Sequence, residues 1–418
     1  MSCYKITGEE IRRLRKLAKK QKEYAALPVM EERSEQWRCN NDGLPAIPPV
    51  VVETWTFDPD FMPESIFACE SPVARKIEYR LLKNIREYEI IRDDKVMPSY
   101  YPIDWKIDID WFGIAAGTTH AADARGREIG FSYDAPVKDL EKDFHLLKPV
   151  SINFDREGTL KEKEFIEEIL NGILPVTIRG EIHHIELSNH AVSLCGMENL
   201  WMFLFDCPDA VKELMNYLTS NHHRLLDFYE AEKILTSTGG NSDIGQSSYG
   251  FTAGLPEKEP GSYTCKDLWM FIEMEETSSI SGGMFEEFFL PHAASLASRA
   301  GAVYYGCCEP MQRNWPALYK AMPHIRKLSI SPYSDEEKMG EMLRNTGVVY
   351  SRKPGPGYLG VAGRLDEDAW RSHIAATFKA VRGGPCEIIM RDIYRVPDLE
   401  SVGRAVEIVR EEAKKFYG

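Results

Sequence analysis

GAVYYGCCEP, residues 301–310, decides how the chain is read. The run from Ala302 to Tyr305 is short, apolar and aromatic and is entered from a glycine, the pattern of a buried strand. Two adjacent thiols, Cys307 and Cys308, stand at its exit, followed by Glu309 and the breaker Pro310. In α/β proteins chemistry gathers at the carboxyl ends of buried strands, where variable loops are held by a rigid frame.

Outward from this stretch toward the C-terminus, strands and helices alternate. A helix over 315–322 precedes a strand over 327–330, and Ser334 with Glu337 forms a capping box for the next helix. A strand over 348–350 leads to a helix over 367–381, in which Trp370, Ile374 and Phe378 recur every fourth residue. A strand over 387–390 and a helix over 398–416 complete the series. Repeated strand–helix units require parallel strands joined by crossover helices.

Toward the N-terminus the pattern is looser. A helix over 283–299 closes on Gly301 as a left-handed cap. Helices over 197–205 and 208–232 precede it, the second with Val211, Leu214, Met215, Leu218, His222, Leu225 and Tyr229 on one face. That position makes His222 a core histidine. A strand over 233–237 runs into the Gly/Ser/Asn-rich loop GGNSDIGQSSYGFTAG, residues 239–254. A helix over 160–170 leads to an apolar strand over 173–178, and residues 97–132 read as strand plus loop or hairpin. Ser71 and Pro72 open a helix carrying Ile77, Leu81, Leu82 and Ile85, and the first strand lies over 50–56. Residues 11–26 form a charged helix with a thin apolar stripe, a surface helix or a subunit-packing arm.

No P-loop pattern occurs, and GPGYLG over 355–360, which has the G-x-G-x-x-G spacing, does not open a helix, the next one being read over 367–381, so a nucleotide-binding sheet has no support. The units therefore predict an α/β protein of the (β/α)₈ TIM-barrel kind. Residues 45–418 make the barrel domain and residues 1–44 an N-terminal helical extension.

Composition narrows the function. The chain has 418 residues, 43% of them hydrophobic and 28% charged, as in an ordinary globular protein. A net charge of −14 argues against a nucleic acid partner, which needs clustered Lys and Arg. No apolar run is long enough to cross a bilayer, and the charged N-terminal stretch, with Glu9, Glu10 and no apolar core after it, does not read as a secretory signal. Nine cysteines at irregular spacing point to reduced thiols in the cytoplasm.

Strand ends then nominate the site. Tyr305, Cys307, Asp243 and Asp392 are the candidates for catalysis. Arg179, Glu181, His183, Arg352, Lys353, Arg391 and Tyr333 are the candidates for binding a small anionic or aromatic substrate. Glu53, Trp55, Cys308 and Tyr394 stand at the same ends. Cys386 opens its strand, which puts it on the opposite, stability-bearing face.

Four stretches carry a resemblance: GMENLWMFLFDCPDAVKELMNYL (196–218), SGGMFEEFFLPH (281–292), AVYYGCC (302–308) and PDLESVGRAVEIV (397–409). Through them the chain resembles the uroporphyrinogen decarboxylase superfamily. The resemblance implies a (β/α)₈ barrel with one central cleft and either of two chemistries. One is cofactor-free decarboxylation of porphyrinogen acetates; the other is zinc-dependent methyl transfer between a corrinoid protein and a small substrate. The decarboxylases carry R-Q-A-G-R-Y after the first strand, where this chain reads ETWTFDPD, residues 53–60. The thiol methyltransferases carry His-x-Cys after the strand matching 302–305 and a further Cys after the last strand. Here Cys307 matches the first Cys, Tyr305 replaces the His, and Arg391 and Asp392 stand near the last position. The resemblance thus implies zinc on Cys307 with Glu309, or with Asp243, Asp392 or a histidine.

A corrinoid-binding D-x-H-x-x-G pattern is missing from this sequence, which assigns the corrinoid to a partner protein. The expectation is a methyltransferase moving a methyl group between a methoxylated aromatic, methylamine or thiol and that partner, with a homodimer as its assembly. Two alternatives stay open. One is a metal-free decarboxylase or lyase of a carboxylic acid, and the other a barrel that binds a tetrapyrrole or corrinoid without turnover.

Overall fold

The computed structural model describes residues 6–122, 128–180, 182, 184–359, 364–394, 396 and 398–418. Eight strands, paired in parallel within a set of six and a set of two, frame it: β1 (Val50–Val52), β2 (Tyr101–Asp104), β3 (Val176–Arg179), β4 (Trp269–Ile272), β5 (Ala302–Tyr305), β6 (Ile325–Ile330), β7 (Val349–Arg352) and β8 (Cys386–Met390). Six of them form one curled sheet in the order β1-β8-β7-β6-β5-β4, so the first strand lies beside the last. The helices Trp315–Ala321, Glu336–Leu343 and Glu367–Val381 are the crossovers between β5, β6, β7 and β8. All residues of β4, β5, β7 and β8 are buried, which is why these strands read as continuous runs and not as alternating ones.

The closed ring expected from the sequence is not a continuous hydrogen-bonded ring among the described residues. β2 and β3 pair with each other outside the large sheet. Beyond β1, the Asp94 carboxylate accepts from Val50 N at 2.8 Å and the Asp93 carboxylate from Val52 N at 3.0 Å. Side chains thus satisfy the edge donors that a neighbouring strand would take. Beyond β3, the expected strand over 233–237 contributes only isolated bonds, Thr236 N to Gly180 O at 2.9 Å among them. Ile185 makes a single parallel bridge to Ile272 of β4. Two antiparallel pairs, Ile107–Asp110 with Ser151–Phe154 and Gly117–Ala122 with Glu128–Asp134, occupy the aromatic-rich region.

Three local expectations shift. The helix over 283–299 is two helices, Gly282–Phe288 and Leu290–Ala297, broken at Phe289 just ahead of Pro291, whose ring nitrogen cannot continue the ladder. Gly301 is not a left-handed cap; a Cβ there would lie 2.4 Å from the Lys266 carbonyl, so close approach requires the glycine. The cap of Glu336–Leu343 is Asp335, one residue later than Ser334, accepting from Lys338 N at 3.1 Å.

The N-terminal helices Gly8–Ala25 and Pro28–Asn41 join the core. Leu14 and Trp37 are fully buried. Trp37 packs with Val51 and Ile389 on the inner face of the sheet and donates its indole N–H to Asp94 O at 2.9 Å. No helix among the described residues is long and apolar enough to cross a membrane.

Candidate active site

Beyond β5 the chain turns on Gly306, at φ 95°, where a Cβ would press to 2.4 Å from the Met311 methyl. The turn that follows is built on Glu309. One of its carboxylate oxygens accepts from Cys307 N at 2.7 Å and the other from Met274 N at 3.3 Å. Ser329 Oγ donates to Cys307 O at 2.8 Å. So held, the Cys307 and Cys308 sulfurs lie 3.7 Å apart. The Glu275 carboxylate, from the turn after β4, completes a group whose ligand atoms all lie within 4.8 Å of one another. Arg391, beyond β8, donates Nη1 to Cys307 Sγ at 3.6 Å, while its Nε lies 3.3 Å from Glu53 and 3.4 Å from Asp392.

The electrostatics follow from this crowding. The Cys307 thiol is pushed far up by its contact with Cys308, by burial and by the Glu275 charge, with Arg391 opposing. Glu309 is raised to about 7, chiefly by burial. Burial and the neighbouring Glu309 raise Glu273 well above the carboxylate range. Burial works against the Arg391 charge, but Glu53, the thiols and Asp392 outweigh it and its pKa rises.

Beneath the turn lies a polar interior. Strand alternation aims Tyr304, Lys327, Ser351 and Glu387 inward. Glu387 accepts from Lys327 at 2.8 Å and from Ser351. Lys353 donates to Tyr304 and to Ser351 Oγ at 2.6 Å. Burial lowers the Lys353 pKa to about 7, although Glu387 pulls the other way.

A cavity of about 430 Å³ opens beside this cluster, with Arg179 and Asp243 in its wall. Asp243 is open to the cavity, yet the surrounding protein strips enough water to raise its carboxyl, against the pull of Lys95 and Arg179. Thr54 and Trp55 line the same cavity, and the residue before them, Glu53, bears the ion pair with Arg391. Glu53 thus ties Arg391 to the segment whose next two residues line the cavity.

The structure gathers some expected site residues and separates others. Cys307, Glu309, Arg391 and Asp392 come together. Asp392 sits at φ 59° and accepts from Tyr394 at 3.4 Å. Tyr305 does not join them: it lies in the core between sheet and helices, and its neighbour Tyr304 takes the inner face. Arg352 also points outward, donating to Ser331 O at 2.7 Å and to Glu336 at 2.5 Å. Lys353 is buried beneath the turn, and Tyr333 stands 72% exposed on the loop after β6. Glu181 and His183 lie outside the described residues. Glu309 reaches the turn as an acceptor of backbone N–H groups, and the carboxylate beside the sulfurs is Glu275. Its signal was the acidic EMEE of residues 273–276 directly after the apolar WMFI of β4.

No protein-family model matches the chain, and no curated protein does. Among solved structures, a methyltransferase from Methanosarcina mazei aligns over 92% of this chain and 99% of its own, at 12% identity and a TM-score of 0.48. No residue role passes from it to this chain.

Proposed function

We propose that the chain is a metal-assisted methyltransferase whose zinc is held by Cys307, Cys308 and Glu275. The separation of the two sulfurs carries this reading. At a Zn–S length of about 2.3 Å, tetrahedral geometry sets two sulfurs about 3.8 Å apart. The observed 3.7 Å matches that edge. The donor set differs from the pairing of Cys307 with Glu309, because both Glu309 oxygens are already engaged by backbone N–H groups. Three protein ligands are also the count of catalytic zinc sites rather than structural ones. Zinc bound there would supply a Lewis acid and stabilise thiolate at neutral pH.

The residues around the thiols have separable tasks. Glu309 fixes the turn that brings the sulfurs together. Arg391, anchored by Glu53 and Asp392, holds positive charge against Cys307. The small substrate enters the cavity that Glu53 adjoins. The methyl group then passes from the substrate's oxygen, nitrogen or sulfur to cob(I)alamin on a separate protein: the carbon–heteroatom bond breaks as the cobalt–carbon bond forms, cobalt goes from Co(I) to Co(III), and the heteroatom leaves with its electron pair and takes a proton. The same reading takes the eight strands as a distorted (β/α)₈ barrel, interrupted where carboxylates cap β1 and where 233–237 runs irregularly.

Elemental analysis tests the metal. One zinc per chain is expected, lost in Cys307→Ser and Cys308→Ser, weakened in Glu275→Gln and kept in Glu309→Gln. A wild-type protein without zinc, or a Cys307→Ser, Cys308→Ser double variant that keeps it, ends the proposal. Methyl transfer is then read as methylcobalamin formed from cob(I)alamin and a panel of methyl donors. Rates no higher than those of Cys307→Ser would remove the activity.

A further inference from the structure

The helix Met197–Asp206 leaves an apolar face uncovered. Leu200 and Leu204 turn into the core, and the helix packs on Leu187–Cys195 and Pro208–Ala231. At about 100° per residue, Met197, Trp201, Met202 and Phe205 fall within a sector of about 140°. Met197 is 46% exposed, Met202 53% and Phe205 75%. One exposed apolar side chain is ordinary, but several along one helix mark a contact surface. Two exposed acids, Glu198 and Asp206, stand on the same helix, and neither forms an ion pair with a described residue.

A groove of the opposite charge lies at the amino ends of β7 and β8, the end away from the thiol turn, and holds about 500 Å³. Leu44, Val348, Pro385 and Phe416 give it apolar walls, and Leu44 and Phe416 are exposed. Its charged residues are Arg344 and Arg382, with no described acid in the wall. Both arginines are exposed, and neither guanidinium makes a hydrogen bond or ion pair with a described residue. Arg382 ends the helix Glu367–Val381 at φ 55°, in the left-handed region that glycine fills at less cost.

We infer that the helix Met197–Asp206 of one copy of the chain seats in the groove of a second copy. Met202 and Phe205 meet the apolar walls, and Glu198 and Asp206 meet the two arginines. Charge selects this occupant. A chain of net charge −14 repels its own copies at long range, and an acid-free basic groove is where an acidic apolar helix of another copy is drawn in. Helix and groove share no residue, and neither helix packed under Met197–Asp206 lines the groove, so the contact joins separate copies. Two different surfaces meet, which makes the association head to tail. It depends on neither the metal nor the methyl-transfer reading.

Sedimentation velocity of the full chain tests it. Wild type is expected to form assemblies that grow with concentration up to about 100 µM and weaken in about 0.5 M salt. Phe205→Ser, which spoils the helix, and the double variant Arg344→Glu, Arg382→Glu, which spoils the groove, should each associate at least about ten-fold more weakly. Melting curves check that both variants fold. Mixed together, the two variants should pair one to one, because the first keeps an intact groove and the second an intact helix. Three results would overturn the inference: a wild-type monomer over the whole range, assemblies unchanged in both variants, or variants that stay apart when mixed.

Discussion

Consecutive side chains on a strand point to opposite faces, so two neighbouring cysteines can share one partner only after the strand has ended. Gly306 provides that ending, and Glu309 holds the turn by gathering the N–H groups of Cys307 and Met274. The same alternation explains which residues the sequence misplaced. In a strand buried on both faces, both Tyr304 and Tyr305 look equally internal, and no polar residue marks the phase. Arg352 and Lys353 were equally ambiguous, and only the Glu336 contact reveals which way Arg352 turns. Lys353 offers a test at this scale. Its folded pKa of about 7 lies below the ordinary 10.5, so the unfolded chain binds that proton more tightly. The cost of burying the charge is therefore full below 7 and is relieved as pH rises from 7 toward 10.5. Lys353→Met is expected to stabilise the protein near pH 6 by about 1–4 kcal/mol, with the gain shrinking by about pH 9.5. Urea denaturation at both pH values reads the difference, and a gain independent of pH would refute the assignment.

At the scale of elements, legibility followed local signals. The helix Glu367–Val381 and strand β5 were legible to the residue, because caps, glycines and apolar spacing agreed there. Strand β4 was not, since WMFI is short and lies between a long polar loop and an acidic turn. With β4 unseen, Glu275 had no strand end to belong to. The helix Gly8–Ala25 shows a signal that went unread, the box of Thr7 and Glu10. The Glu10 carboxylate accepts from Thr7 N at 2.8 Å and from Glu70 N and Ser71 N at 2.9 Å each, tying this helix to the start of Pro72–Arg86. Those backbone N–H groups, Thr7 first, hold its pKa down at about 2. A lowered carboxylate stabilises above its unfolded value of 4.5 and loses that contribution as pH falls through about 2. Glu10→Gln should cost about 1–2 kcal/mol at neutral pH, and the gap from wild type should narrow as the solution is acidified below 4.5. Denaturant titrations at pH 7 and about pH 3 measure it; equal gaps would show that the carboxylate charge is not what ties the two helices.

For the whole molecule, composition and rhythm announced a parallel α/β architecture but not how its interior is filled. That depends on contacts between residues far apart in the chain. Lys327 is buried on the inner face, paired with Glu387 and lying 5.1 Å from the ring of Trp37, which arrives from the helix Pro28–Asn41. A charged pair inside a sheet needs its remaining donors and lost hydration replaced, and the indole face, with Ser248 and the Tyr249 carbonyl, does this. The N-terminal helices therefore close one wall of the core. Trp37→Ala is expected to cost about 3–5 kcal/mol, the range for emptying a large aromatic site. A chain lacking residues 1–44 should lose cooperative melting and bind a hydrophobic dye, since Val51, Ile389 and Lys327 would meet water together. Calorimetry of the truncated chain decides the matter. A single sharp transition within a few degrees of the full chain would mean that the sheet supports its buried charges without the helix, and that Trp37 is a lid rather than a wall.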